Sequence, residues 1–128
     1  ESITEIANNM IQHRNIEVLL DIDETVTQSL SKNHQLMVFR IVQEQTGNIV
    51  KHSGATEASI TIYQEDNIVQ LRISDNGKGF DASDKEKVKG IGLINIFNRV
   101  DAYNGTVDIQ TAPGKGCTLN IQFPFDPE

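Results

Sequence analysis

Glu44, Asn48 and Lys51 recur at i, i+4 and i+7 within a helical pattern, so one helix carries all three along one stripe. Further on, Asp75 stands before Gly77 and Gly79 at the end of an apolar strand, and Gly90 and Gly92 precede a second helical pattern. These residue types together suit a nucleoside triphosphate. An asparagine oxygen is a hard, neutral ligand for Mg²⁺, which takes one or two protein oxygens and completes its shell with phosphates and water. A nearby carboxylate orients or deprotonates a nucleophile. A buried aspartate accepts a hydrogen bond from adenine's exocyclic amine. Glycine N–H groups at a helix start cradle phosphates, helped by the helix dipole. Lys51, one turn beyond Asn48, reaches a phosphate as a point charge.

Blander readings exist for each piece. Asn76-Gly77 alone is a strong hairpin signal, but a two-residue turn needs a partner strand at once, and the polar stretch Asp81–Lys89 follows instead. Glu44 and Asn48 alone would read as the solvated face of a surface helix. That reading loses force because the helix is apolar nearly all round in its first half (Leu36, Met37, Val38, Phe39, Ile41, Val42), which argues for a central, buried element. His52 near the helix end complements the dipole whether or not it meets a ligand. Lys85, Lys87 and Lys89 alternate with acids as a solvated loop would. Cys117 on an apolar strand face reads as a packed, unreactive thiol.

The elements that must position these residues follow from periodicity. Ser2 to Gln12 is a helix capped by Ser2, and a strand with one buried face (Ile16, Val18, Leu20, Ile22) runs from Asn15. The acidic cluster Asp21, Asp23, Glu24 is a solvated turn, since it lacks the spacing and glycine of a calcium loop. Ser31 to about His52 is the long helix. Its Gly47 costs roughly 1 kcal/mol relative to alanine and so suggests close approach by another group. Ser59–Glu65 and Ile68–Ser74 form an antiparallel hairpin across Asp66-Asn67. After the polar loop, Leu93, Ile96, Phe97 and Val100 form a helix that Asn104-Gly105 stops. Val107 and Ile109, then Cys117, Leu119, Ile121 and Phe123, form a last hairpin across Pro113–Gly116, and Pro124 and Pro127 close the chain. This order predicts an α/β, two-layer α/β sandwich with a mixed, mostly antiparallel sheet and helices on one face.

The 128 residues allow a single domain with one core. A formal net charge of -7 is the opposite of a nucleic-acid binder's footprint, so an anionic ligand must be held by local donors. One cysteine excludes an internal disulfide and suits a reducing compartment. With no apolar run near bilayer length and no signal-peptide pattern, the chain is expected to be soluble and cytoplasmic, without direct membrane contact. Because it starts inside a helical pattern, it reads as a piece of something longer.

From Phe39 through Glu44, Asn48 and Lys51-His52-Ser53-Gly54-Ala55, the chain resembles the N box of sensor histidine kinases. Asp75-x-Gly77-x-Gly79-Phe80 and Gly90-x-Gly92-Leu93 resemble their glycine boxes, and Asn95-Ile96, Arg99-Val100 and Gly114-Lys115-Gly116 fit the same family. The likeness runs along essentially the whole chain and is nearest the short-lid subfamily whose N box ends in Lys-His. It implies the Bergerat ATP-binding fold, with ATP and Mg²⁺ as cofactors. By that resemblance Asn48 holds Mg²⁺, Glu44 is the catalytic carboxylate, and Lys51 and His52 lie near the phosphates. Asp75 binds the adenine amine with help from Gly77, while Gly79, Gly90 and Gly92, the last followed by Leu93, flank or hinge a lid over the nucleotide.

Departures carry expectations too. Ile49 stands where the family usually has a small residue and Thr46 where it has leucine. Cys117 replaces a threonine or serine of the adenine network, so a weakened contact is expected there. None of His13, His34 and His52 is followed by an acidic residue, as the family's phosphoacceptor histidine is. The chain is therefore expected to be a monomeric catalytic module, residues 1–128, serving a separate dimerisation and phosphoacceptor domain and, downstream, a response regulator. Two rivals remain: a stand-alone serine kinase of the anti-sigma-factor type, against which Lys51-His52 and Asn95–Val100 argue, and a degenerate module without kinase activity.

Overall fold

The computed structural model describes residues 2–125; Pro127, expected to help close the chain, lies outside them. Ser2 accepts a hydrogen bond from the Glu5 N–H at 3.2 Å and caps α1 (Ile3–Arg14), as the sequence predicts. Asn15 adopts a left-handed conformation that ends this helix, so β1 spans Glu17–Ile22 and starts later than expected. Asp23, expected in a solvated turn, instead caps a short α2 (Glu24–Ser29) by accepting from the Thr25 and Val26 N–H groups. The long helix α3 (Lys32–Asn48) widens into a π-helical turn, Ile49–Ser53, and stops at left-handed Gly54.

Helix α3 is one-sided. Met37, Val38, Ile41 and Val42 are buried, yet Leu36 is 53% exposed and Arg40 faces solvent, which corrects the expectation of burial all round. The space above Gly47 is open, so no close approach by another group explains that glycine.

Strands β2 (Glu57–Glu65) and β3 (Ile68–Asp75) form the expected antiparallel hairpin, with Glu65 opposite Ile68. The polar stretch after β3 is not all loop: Asp84 caps a short helix α4 (Lys85–Gly90). Then come α5 (Leu93–Asp101) and the hairpin of β4 (Thr106–Thr111) and β5 (Cys117–Pro124). The five strands lie in the order β1-β2-β3-β5-β4; β1 and β2 are parallel and every other pair antiparallel.

One core joins the layers. Ile60 and Ile62 of β2, Val69, Leu71 and Ile73 of β3, and Leu119, Ile121 and Phe123 of β5 alternate toward Ile41 and Val42 of α3 and Ile96 and Val100 of α5. The opposite face carries Gln70, Arg72, Ser74, Thr118, Asn120 and Gln122, which are polar and reach solvent to varying degrees. Two cross-strand bonds tie that face: Arg72 Nε donates to Asn120 Oδ1 at 2.9 Å, and the Ser74 and Thr118 hydroxyls meet at 2.8 Å. Among the described residues no helix is long and apolar enough to cross a membrane.

Candidate functional site

The end of α3, the turn after β3 and the start of β5 meet around one narrow cavity. From α3 and its π turn come Gln45, Asn48, Ile49, His52 and Ser53; Asp75 ends β3, and Lys78, Gly79 and Phe80 follow it; Lys87 of α4 and Ile91 just after it add a side, and Cys117 completes the wall.

Asp75 is the last residue of β3 and sits in register between Ala58 and Cys117. It is only 9% exposed, and Gly77 N–H donates to its Oδ1 at 2.8 Å. Desolvation pushes its carboxyl above the usual carboxylate range, and the Gly77 bond opposes that rise without cancelling it. A buried acceptor of this kind is costly to ionise, which makes it a strong partner for a ligand's donor.

The turn that follows is pinned from three sides. Asn76 Oδ1 accepts from the Thr56 and Glu57 N–H groups at 2.9 and 3.0 Å, so the asparagine ties the loop to β2 in place of turning a hairpin. Lys78 N–H donates to Ser53 O at 2.8 Å, while Lys78 O accepts from Gly114 N–H at 2.6 Å. Phe80 N–H donates to the Thr111 hydroxyl. A Cβ on Gly77 would stand 2.5 Å from Ser53 O, so this glycine serves contact between loop and helix. Gly79 has φ 61 and faces the carbonyls of Ala112 and Gly116, a backbone that only glycine adopts cheaply.

The residues singled out by sequence separate into two groups. Asn48, His52, Asp75 and Gly79 line the cavity, with Gly77 bonded directly behind Asp75. Asn48 Nδ2 donates to Gln45 Oε1 at 3.1 Å, which leaves its Oδ1 as the remaining acceptor of the side chain. Glu44 is not in the lining; its Oε1 accepts from Arg99 Nε at 3.0 Å and Arg99 Nη2 at 2.9 Å. Lys51 is exposed and lies in a separate groove between α1 and α3, beside Glu5, Met10 and Arg14. The reason is local: the chain widens into the π turn at Ile49, which breaks the α-helical stripe from Asn48 and leaves Lys51 and His52 on different sides. Gly90 ends α4 and Gly92, φ 74, caps α5, both with open space above the backbone. Leu93 is fully buried in the core.

Sequence reasoning missed Gln45, Ser53, Lys78, Phe80, Lys87 and Ile91 as lining residues. Lys78 was legible in part, because it stands between two loop glycines, which let a backbone approach a ligand closely. Ile91, between Gly90 and Gly92, had the same signal. Among the described residues no three His, Cys, Asp or Glu side chains cluster as metal ligands, so a cation here would draw most of its shell from its ligand and water. Cys117 faces the Asp75 end of the cavity; burial, then the Asp75 charge, push its thiol up to about 11 against the pull of Thr111. The expected unreactive thiol agrees with that.

The family described as histidine kinase-, DNA gyrase B-, and HSP90-like ATPases matches residues 33–127. Sensor histidine kinase LiaS of Bacillus subtilis is 30% identical over 128 residues, which is 100% of this chain and 34% of LiaS. The signal transduction histidine-protein kinase/phosphatase DegS of the same organism is 36% identical over 106 residues, 81% of this chain and 28% of DegS. The chain thus spans about a third of the length of these curated relatives. Among solved structures, the blue-light activated histidine kinase of Erythrobacter litoralis EL346 superposes with a TM-score of 0.78 over 96% of this chain and 40% of its own, at 17% identity, a likeness of fold.

Proposed function

The chain belongs to the histidine kinase-, DNA gyrase B-, and HSP90-like ATPase family, and from that premise we propose that it is the catalytic module of a two-component sensor kinase. In this reading it binds Mg·ATP and presents the γ-phosphate to a histidine on a separate dimerisation and phosphoacceptor domain, which then passes the phosphoryl group to a response regulator. The observation that carries the reading is Asp75, a buried carboxylate at a strand end with Gly77 N–H on one oxygen and the cavity before it. That arrangement suits adenine, whose exocyclic amine donates to the carboxylate.

The remaining roles follow from chemistry and position. Asn48 would hold Mg²⁺ through its free Oδ1, and the ion would neutralise phosphate charge. His52 lines the cavity and would face the phosphates, with Lys51 outside it. Glu44 would orient the incoming nucleophile, its carboxylate directed by Arg99. Little covalent chemistry falls to the protein, since phosphoryl transfer depends mainly on positioning and charge stabilisation. Gly79, Gly90 and Gly92 bracket the segment that would close over the nucleotide. The cavity encloses about 30 Å³ of free space, far below the roughly 300 Å³ of a small-molecule site. In this reading α4 must therefore move outward to admit a nucleotide.

A second reading has Ile49 and Cys117 in its favour, two apolar groups that narrow the cavity: a module that signals by shape without transferring phosphate. Calorimetric titration with ATP and ADP, with and without Mg²⁺, tests the first. Micromolar to submillimolar binding is expected, and it should vanish in Asp75→Asn. ATP affinity unchanged in that variant would sink the adenine assignment. Binding without Mg²⁺-dependent transfer to a phosphoacceptor domain supplied in trans would favour the second reading.

A further inference from the structure

We propose that Lys78 reads the polyphosphate of the bound nucleotide and so separates ATP and ADP from adenosine; the inference rests on the nucleotide reading of the cavity. The chain carries a net charge of -7, so its overall field repels a polyanion and a local cation must offset it. Around the cavity the one carboxylate is Asp75, whereas Lys78, Lys87 and His52 bring basic groups.

Lys78 differs from the other basic groups in how its backbone is held. Its N–H is fixed to Ser53 O and its C=O to Gly114 N–H, so its Cα is in place before any ligand arrives. Lys87 sits on α4, a six-residue helix without a fully buried side chain, so its charge is held less firmly. Lys51 occupies the α1–α3 groove and lines none of this cavity. The Lys78 side chain is exposed, and among the described residues no carboxylate lies within ion-pair distance of it. Its ammonium is a mobile point charge on a fixed stem, a form that suits successive phosphates better than one rigid carboxylate.

Titration of ATP, ADP and adenosine into the wild type, Lys78→Ala, Lys78→Arg and Lys115→Ala tests this. Lys115 lies in the adjoining β4–β5 turn, outside the cavity lining, and controls for a generic loss of nearby charge. Lys78→Ala should weaken ATP by about tenfold, the size of one lost charged hydrogen bond, and leave adenosine unchanged. Lys78→Arg should keep most of the ATP affinity, and Lys115→Ala all of it. Unchanged ATP affinity in Lys78→Ala, an equal loss in Lys115→Ala, or a matching loss of adenosine would each overturn the assignment. A wild type that binds neither ATP nor adenosine overturns the nucleotide reading itself, and that failure shows before any variant is compared.

Discussion

Cys117 faces Asp75 across β3 and β5, and burial, then the Asp75 charge, makes the thiol harder to ionise. In the folded chain the thiol keeps its proton up to about 11, whereas an unfolded thiol loses it near its ordinary value of 9.0. The unfolded state therefore releases a proton that the folded state retains, so this contribution to stability is whole below pH 9 and drains away as pH rises toward 11. Urea unfolding at pH 8 and 10.5 should show wild type losing of order 2 kcal/mol more than Cys117→Ala. Parallel losses in the two proteins would contradict it. At this scale the sequence announced Asp75, Asn48 and His52, because motif order alone brings them together. It gave no sign that the missing side chain of Gly77 admits Ser53, nor of how Lys78 is held, because the bonds that fix that residue come from positions 25 and 36 residues away in sequence.

Long elements were legible and short ones were not. Helix α5 and the strands repeat their apolar residues often enough for the period to be read. Helices α2 and α4 have six residues each, under two turns, and are specified by the aspartate caps Asp23 and Asp84, which in sequence look the same as turn residues. The two differ in anchorage: α2 buries Val26 in the core, while α4 sets only half-buried Val88 against it. Six residues do not sustain a helix by propensity alone. Amide hydrogen exchange across Lys85–Gly90 should accordingly be fast in the free protein and slow on adding ATP, with β3 protected throughout. Protection of α4 equal to that of β3 before any nucleotide is added would show it to be a fixed wall.

For the molecule as a whole, layer architecture and mixed pairing could be read from the sequence, but strand order could not. Hairpins declare themselves through their turns, whereas placing β1 beside β2 in parallel takes a crossover through α2 and α3, and inserting β5 between β3 and β4 takes contacts distant in sequence. The uncovered sheet face is polar, and the exposed large apolar residues among those described, Ile11, Leu19, Leu36 and Ile94, stand one each on α1, β1, α3 and α5. Isolated apolar residues of that kind drive no association. Sedimentation should therefore find a monomer of 14.2 kDa, and a stable dimer would point to a surface not apparent in this arrangement. The Asp75 corner and its pinned turn are built in advance, whereas the opposite wall depends on α4. A fragment-sized heterocycle that pairs with Asp75 alone would bind without the entropic penalty of ordering α4, so small inhibitors should reach high efficiency per atom there. Growing them toward the lid would then add contacts at a diminishing return.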